Sequence, residues 1–177
     1  IYQRQGKLTE AEAVLVELLD LEKNDLQART ELARIYQRQG KLKEAEERLL
    51  ESLEIDDKQL HPRTELAKIY QRQGKLEEAE ARLDESLAIN PLDDYALAEL
   101  LAIWERQGEK EKIVDRFFQF TSQPGFQFSR YFQASVFRFF RCCDHFSLRD
   151  DAKTVFDRFQ AELDEQNMKY YRQHFGK

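Results

Sequence analysis

Cys142 and Cys143 are adjacent and His145 follows closely. Such side chains can hold zinc or supply a nucleophile and its base. A structural zinc site takes four ligands at workable spacing, and the chain has no second Cys/His pair; by chain position His174 is the nearest remaining candidate. Thiol catalysis would need a marked base and an oxyanion donor, and neither is evident. His61 precedes Pro62 and reads as a surface residue at a helix start. No Gly-rich phosphate loop is present, and no carboxylate pair stands apart from the general acidity. The sequence therefore predicts no enzyme, catalytic residue, metal ligand or cofactor. The thiols are expected to pack as small apolar side chains.

A second candidate is RYFQASVFRFFR at 130–141. At helical spacing Arg130, Arg138 and Arg141 share one side, and Phe132, Val136, Phe139, Phe140 and Cys143 share the other. Interleaved basic and aromatic residues can bind single-stranded nucleic acid by phosphate contacts and stacking. Most of these rings fall on a core-type face, however, and the chain carries a net charge of −6. Core packing is the expectation and nucleic-acid binding the rival. Phe137 lies beside the arginines and is a candidate docking anchor.

The elements that position these residues follow from repetition. IYQRQGKL occurs at 1–8, 35–42 and 69–76, and a diverged copy, IWERQGEK, at 103–110. Each start lies 34 residues after the last. In one unit LQARTELARIYQRQG (26–40) sets Leu32, Ala33, Ile35 and Tyr36 on one helical side, and Gly40 supplies the backbone freedom to end that helix. KLKEAEERLLESLEI (41–55) then spaces Leu42, Ala45, Leu49, Ser52, Leu53 and Ile55 for a second amphipathic helix. Glu44 and Arg48 are expected to pair on its outer side. Pro62 suits the first turn of the next unit. Gly6, Gly40, Gly74 and Gly108 mark equivalent turns.

These units resemble tetratricopeptide repeats, whose period is 34 residues. The family pattern is met by Leu66, Ala67, Tyr70 and Gly74 in helix A and by Ala79, Leu83, Ser86 and Pro91 in and after helix B. Two departures are Arg29 and Arg63 in place of an early helix A aromatic, and Asp57 in place of the Pro. The resemblance covers residues 1–122 and implies an all-α, right-handed α-solenoid of stacked helix–turn–helix repeats. Residues 123–177 read as a divergent Phe-rich helix pair, 127–143 and 148–163, with Ala152, Phe156 and Phe159 in the helix B pattern. The tail is expected to continue as a capping helix. Ile1 falls inside a unit, so the chain reads as a fragment whose exposed first edge frays or self-associates.

Composition also changes along the chain. All thirteen Phe lie from Phe117 onward. Within the repeats, helix A residues facing away from the core are basic or neutral polar: Arg4 and Lys7; Arg34, Gln37, Arg38 and Lys41; Lys68, Gln71, Arg72 and Lys75. The fourth unit breaks the series with Ala98, Ala102, Glu105, Arg106 and Glu109, and offers Tyr95, with Trp104 in the core aromatic position. The B helices carry the acid, including Glu47, Glu51, Glu78 and Glu85. A basic groove for an acidic peptide or protein surface is the expectation, against solvated faces merely copied with the repeat. A chaperone-type carboxylate clamp is excluded, because no clamp Asn stands at the matching positions. The chain is read as a scaffold or adaptor; a regulatory region of a larger effector protein is the other alternative. No apolar run approaches the ~20 residues of a membrane span, and a soluble cytoplasmic protein is expected.

Overall fold

A computed structural model describes residues 2–128 and 132–176, with side chains from Gly6 onward. Among the described residues there are ten helices and no strand. The chain divides into two compact units, Ile1–Glu85 and Ser86–Lys177.

The first unit contains α1 (Tyr2–Leu21), α2 (Leu26–Gln39), α3 (Leu42–Ile55), α4 (Leu60–Gln73) and most of α5 (Leu76–Ile89). Asp25 starts α2 by accepting the Ala28 N–H at 2.9 Å, which satisfies one of the first-turn donors left without a helical partner. Gly40 and Gly74 end α2 and α4 at φ of 81° and 76°, a region that costs other residues about 1–2 kcal/mol. The following N–H then reaches back to the last turn, Lys41 to Tyr36 and Lys75 to Tyr70, each at 2.9 Å. Ala33, Ala45, Ala67 and Ala79 are sealed from solvent. Their small size lets helices approach, and Leu32, Leu49, Leu66 and Leu83 fill the space between. Each such Leu contributes about 1.5–3 kcal/mol by leaving water.

The expected turn at Gly6 is absent: α1 runs unbroken through it for 20 residues. A glycine inside a helix costs about 1 kcal/mol. The left-handed turn taken at Gly40 and Gly74 is not adopted there. The uncovered side of α1 shows in Val14 (64% exposed) and Leu21 (78%), while Leu8, Leu15 and Leu19 are half-buried.

The arginines in place of helix A aromatics do a different job. Arg29 pairs with Glu51. Its copy Arg63 reaches Glu85 at 3.3 Å and donates to the Gln59 carbonyl at 2.8 Å. A second arginine on each B helix shares the same acid, Arg48 with Glu51 and Arg82 with Glu85, both at 2.9 Å. Arg48 therefore pairs one turn forward with Glu51, and not with Glu44 as expected.

The second unit holds the end of α5, then α6 (Asp94–Gln107), α7 (Lys110–Thr121), α8 (Phe132–His145), α9 (Arg149–Phe159) and α10 (Glu165–His174). Phe replaces Leu/Ala packing here. Phe117 stacks on Phe139 at 4.2 Å and Phe120 on Phe132 at 5.6 Å, with Phe126 and Phe159 meeting Phe132 edge-on. Phe132, Val136, Phe139, Phe140 and Cys143 are all buried, as their helical spacing requires. Val155 occupies the α9 core beside Ala152, whereas Phe156 is half-buried and stacks on Tyr171 at 3.8 Å. The tail is a separate helix: Asp164 caps α10 by accepting the Asn167 N–H at 2.8 Å.

Candidate functional site

The helix A polar residues of the first unit do not share one surface. Thr30 and Thr64 are buried and donate to carbonyls of their own helices, Leu26 and His61. Arg34 pairs with Glu31 at 2.7 Å. Gln37 and Lys68 converge on Glu65, at 3.0 and 2.7 Å, and so tie α2 to α4. Burial alone pushes the Glu65 carboxyl up, but the hydrogen bonds from Lys68 and Gln37 and the Lys68 charge outweigh it and hold its pKa below the ordinary value. Gln71 is likewise engaged.

Lys41 turns to Glu12 on α1, at 3.1 Å, beside Gln39, which donates to the same carboxylate at 2.7 Å. The Gln39 hydrogen bond, ahead of the one from Lys41, holds Glu12 below its usual pKa despite some desolvation. Arg38 lines the same groove, of about 850 Å³, with Leu8, Val16, Glu17 and Asp20. In the next copy, Tyr70 takes Glu46 at 3.0 Å, and Lys75 lies 5.5 Å from the Tyr70 ring centre. Arg38, Arg72 and Lys75 make no ion pair among the described residues, and Arg38 and Arg72 are exposed. Lys7 is exposed on α1, and Arg4 lies outside the described side chains.

In the second unit Tyr95 is 40% exposed and Arg106 is exposed. Trp104 is buried, with Lys112 and Arg116 at 5.7 and 5.9 Å from its ring centre. Arg106 borders a hollow of about 580 Å³ with Glu105, Arg138, Arg141, Asp144 and Tyr170. Arg141 pairs with Glu105 at 3.2 Å. Phe137 is half-buried and meets Tyr170 edge-on at 5.2 Å. Burial, then the charge of and hydrogen bond to Asp144, push the Tyr170 phenol up to about 12. Sequence reasoning placed Arg138, Arg141 and Phe137 together, weighed His174 only as a zinc ligand, and missed Tyr170 and Asn167. The i,i+4 pair Tyr170 and His174 was the available signal.

The residues that suggested zinc point apart. Both cysteines enter the core, where burial, then neighbouring negative charge, pushes Cys142 up to about 12 and Cys143 upward as well. His145 lies outward against Phe146 at 4.6 Å, and His174 bonds Asp144 at 2.8 Å. Among the described residues no group of three or more His, Cys, Asp or Glu could hold a metal ion. Arg130 lies outside the described residues.

The sequence model of the tetratricopeptide repeat family matches residues 24–91. These residues are tetratricopeptide repeats. Comparison with curated proteins finds no match. Solved structures share the fold across nearly the whole chain. MamA is 17% identical with a TM-score of 0.68, covering 97% of this chain and 92% of that one. A Podosopora anserina putative kinesin light chain with nearly identical TPR-like repeats is 23% identical, with a TM-score of 0.63 and coverages of 90% and 89%. YrrB, a TPR protein with an unusual peptide-binding site, is 15% identical, with a TM-score of 0.63 and coverages of 95% and 84%. The fold is thus an all-α tetratricopeptide-type solenoid, which implies a scaffold for protein–protein interaction. No described helix is long and apolar enough to cross a membrane.

Proposed function

We propose that this chain is a protein-interaction scaffold that takes an acidic segment of a partner protein on the A helices of its repeats, residues 1–122, with 123–177 as a divergent, capping pair and helix. One observation carries the reading. The repeated B-helix acids Glu51 and Glu85 are answered within the fold by arginines, whereas the repeated A-helix arginines Arg38 and Arg72 are exposed and unpaired among the described residues. The charge left over for a partner on the A side is positive. Lys75 and Lys7 add to it, and the second unit offers Tyr95 and Arg106 on a face of its own. The peptide-binding site named for YrrB is in keeping with this. Nucleic-acid stacking finds less support, because every described phenylalanine of α8 except Phe137 is buried.

Each exposed contact is worth about 0–1 kcal/mol, so binding is modest and weakens with salt. The test compares Arg38→Glu with Arg72→Glu, made together, against Glu47→Lys with Glu78→Lys, in binding to a labelled poly-glutamate peptide. Loss confined to the arginine pair is expected. Equal retention by both variants removes the first unit from the proposal.

A further inference from the structure

Ala11, Val14, Leu18 and Leu21 recur along α1 at steps of three, four and three residues, so they form a seam on one side of the helix. Ala11 and Leu18 are half-buried, and Val14 and Leu21 are exposed. One period later, in α3, the same positions hold Ala45, Arg48, Ser52 and Ile55, of which Ala45 and Ser52 are sealed from solvent. The helix α1 is thus more apolar than its copy on the very side that it leaves open. Taking that side out of water favours a helix able to lie along it.

The charge beside the seam says which helix fits. Glu17, Glu51 and Glu85 are copies one period apart. Glu51 is met by Arg29 of α2 and by Arg48 of its own helix, and Glu85 by Arg63 of α4 and by Arg82 of its own helix. In α1, Val14 stands where α3 and α5 carry Arg48 and Arg82, so that source of positive charge is missing. Glu17 and Glu10, one heptad apart on the same flank of the seam, are exposed, and neither has a hydrogen bond or ion pair among the described residues. An occupant must bring positive charge to this flank. A second copy of α1 does not. Laid antiparallel, it sets Glu10 and Glu17 against the same two acids; laid parallel, it sets Glu17 against Glu22. Like charges at these flanking positions disfavour both pairings.

We propose that this side of α1 docks an amphipathic helix of a partner protein, one that carries an arginine beside its apolar stripe. The stripe covers Val14, Leu18 and Leu21, and Ala11 leaves room for close approach. The arginine meets Glu17 as Arg29 and Arg63 meet Glu51 and Glu85. The site uses neither Arg38 nor Arg72 and takes a partner of the opposite charge, so it stands or falls independently of the acidic-partner reading.

The test uses the full chain and a fluorescein-labelled peptide, LQARTELARIYQRQG, the sequence of residues 26–40, read by fluorescence anisotropy. This probe carries the arginine that meets Glu51 within the fold, and a second probe replaces that arginine by Gln. Val14→Gln with Leu21→Gln, made together at two exposed positions, is expected to weaken the parent probe about ten-fold or more. Glu17→Gln is expected to weaken it about three-fold, the scale of an exposed ion pair, and to leave the Gln probe unchanged. Arg38→Gln with Arg72→Gln should alter neither probe. No binding of the parent probe, or binding that survives the Val14 and Leu21 changes, overturns the site. So does a Glu17→Gln effect of equal size on both probes. Sedimentation velocity adds a further outcome: a dimeric parent chain that the Val14 and Leu21 changes make monomeric would put a second copy on this face and overturn the proposal. If those changes lower helicity, Glu17→Gln, at an exposed residue, decides the matter.

Discussion

Residues 2–8 and 36–42 have the same sequence, YQRQGKL, and opposite structures. In the second stretch Gly40 takes a left-handed conformation, ends α2 and turns the chain into α3. In the first, Gly6 is an ordinary interior residue of α1. The difference lies in what surrounds the stretch. The helix before Gly40 carries Leu32, Ala33 and Ile35 into a core, so stopping there lets α3 fold back onto that face. Leu8, Leu15 and Leu19 of α1 are only half-buried, so no comparable core rewards a stop at Gly6. A local stop signal acts only when stopping is rewarded by packing.

The largest test of this contrast is in the core. Leu49 is sealed from solvent, whereas Leu15, its copy one period earlier, is half-buried. Leu49→Ala is expected to cost about 2–5 kcal/mol in urea unfolding, and Leu15→Ala less than half as much. Equal costs would show that α1 is covered as fully as α3.

The glycines themselves give a smaller effect, of opposite sign. A Cβ meets nothing within 4 Å at either position, so backbone conformation alone decides. Gly40→Ala should destabilise by about 1–2 kcal/mol, and Gly6→Ala should stabilise by about 0.5–1 kcal/mol, read from the unfolding midpoint. Two changes of the same sign would place the turn at both glycines or at neither.

The smallest effect compares Glu31 with Glu65. Glu31 shares an exposed pair with Arg34, worth about 0–1 kcal/mol, whereas Glu65 is buried between Gln37 and Lys68. At neutral pH Glu65→Gln should cost more than Glu31→Gln. The folded-state pKa of Glu65 lies below its ordinary value of 4.5, so its ionised form favours the fold. That contribution is present above about pH 4.5 and disappears as pH falls through the lowered value. The penalty of Glu65→Gln should therefore shrink on acidification; a penalty independent of pH would mean that packing, not charge, is at stake.

Much of the fold was legible because it is written in period and size. Gly40, Gly74 and Gly108 end helices where the 34-residue spacing places them, and Ala45, Leu49 and Ser52 are buried as the helix B pattern requires. Gly6 misled because identical residues were read without their neighbours. The polar surface was less legible for a related reason. A helical wheel assigns a direction but no partner, so it grouped Gln37, Lys41 and Lys68 with Arg38 and Arg72. In space the first three are drawn to Glu65 and Glu12 by neighbouring helices. Arg29 and Arg63 marked a departure from the family pattern, but only the acid 22 residues downstream of each explains it. The hollow at Arg138 depends on α10, whose Asn167 and Tyr170 lie beyond any repeat register.

The buried cysteines of α8 have a practical consequence. Alkylation needs a thiolate, and both thiols are shut in the Phe-rich core with their pKa values pushed upward. Reaction must wait for α8 to come away from its neighbours. Its rate then registers how often the second unit opens, so the pair serves as an internal clock for local unfolding, with no label to be engineered.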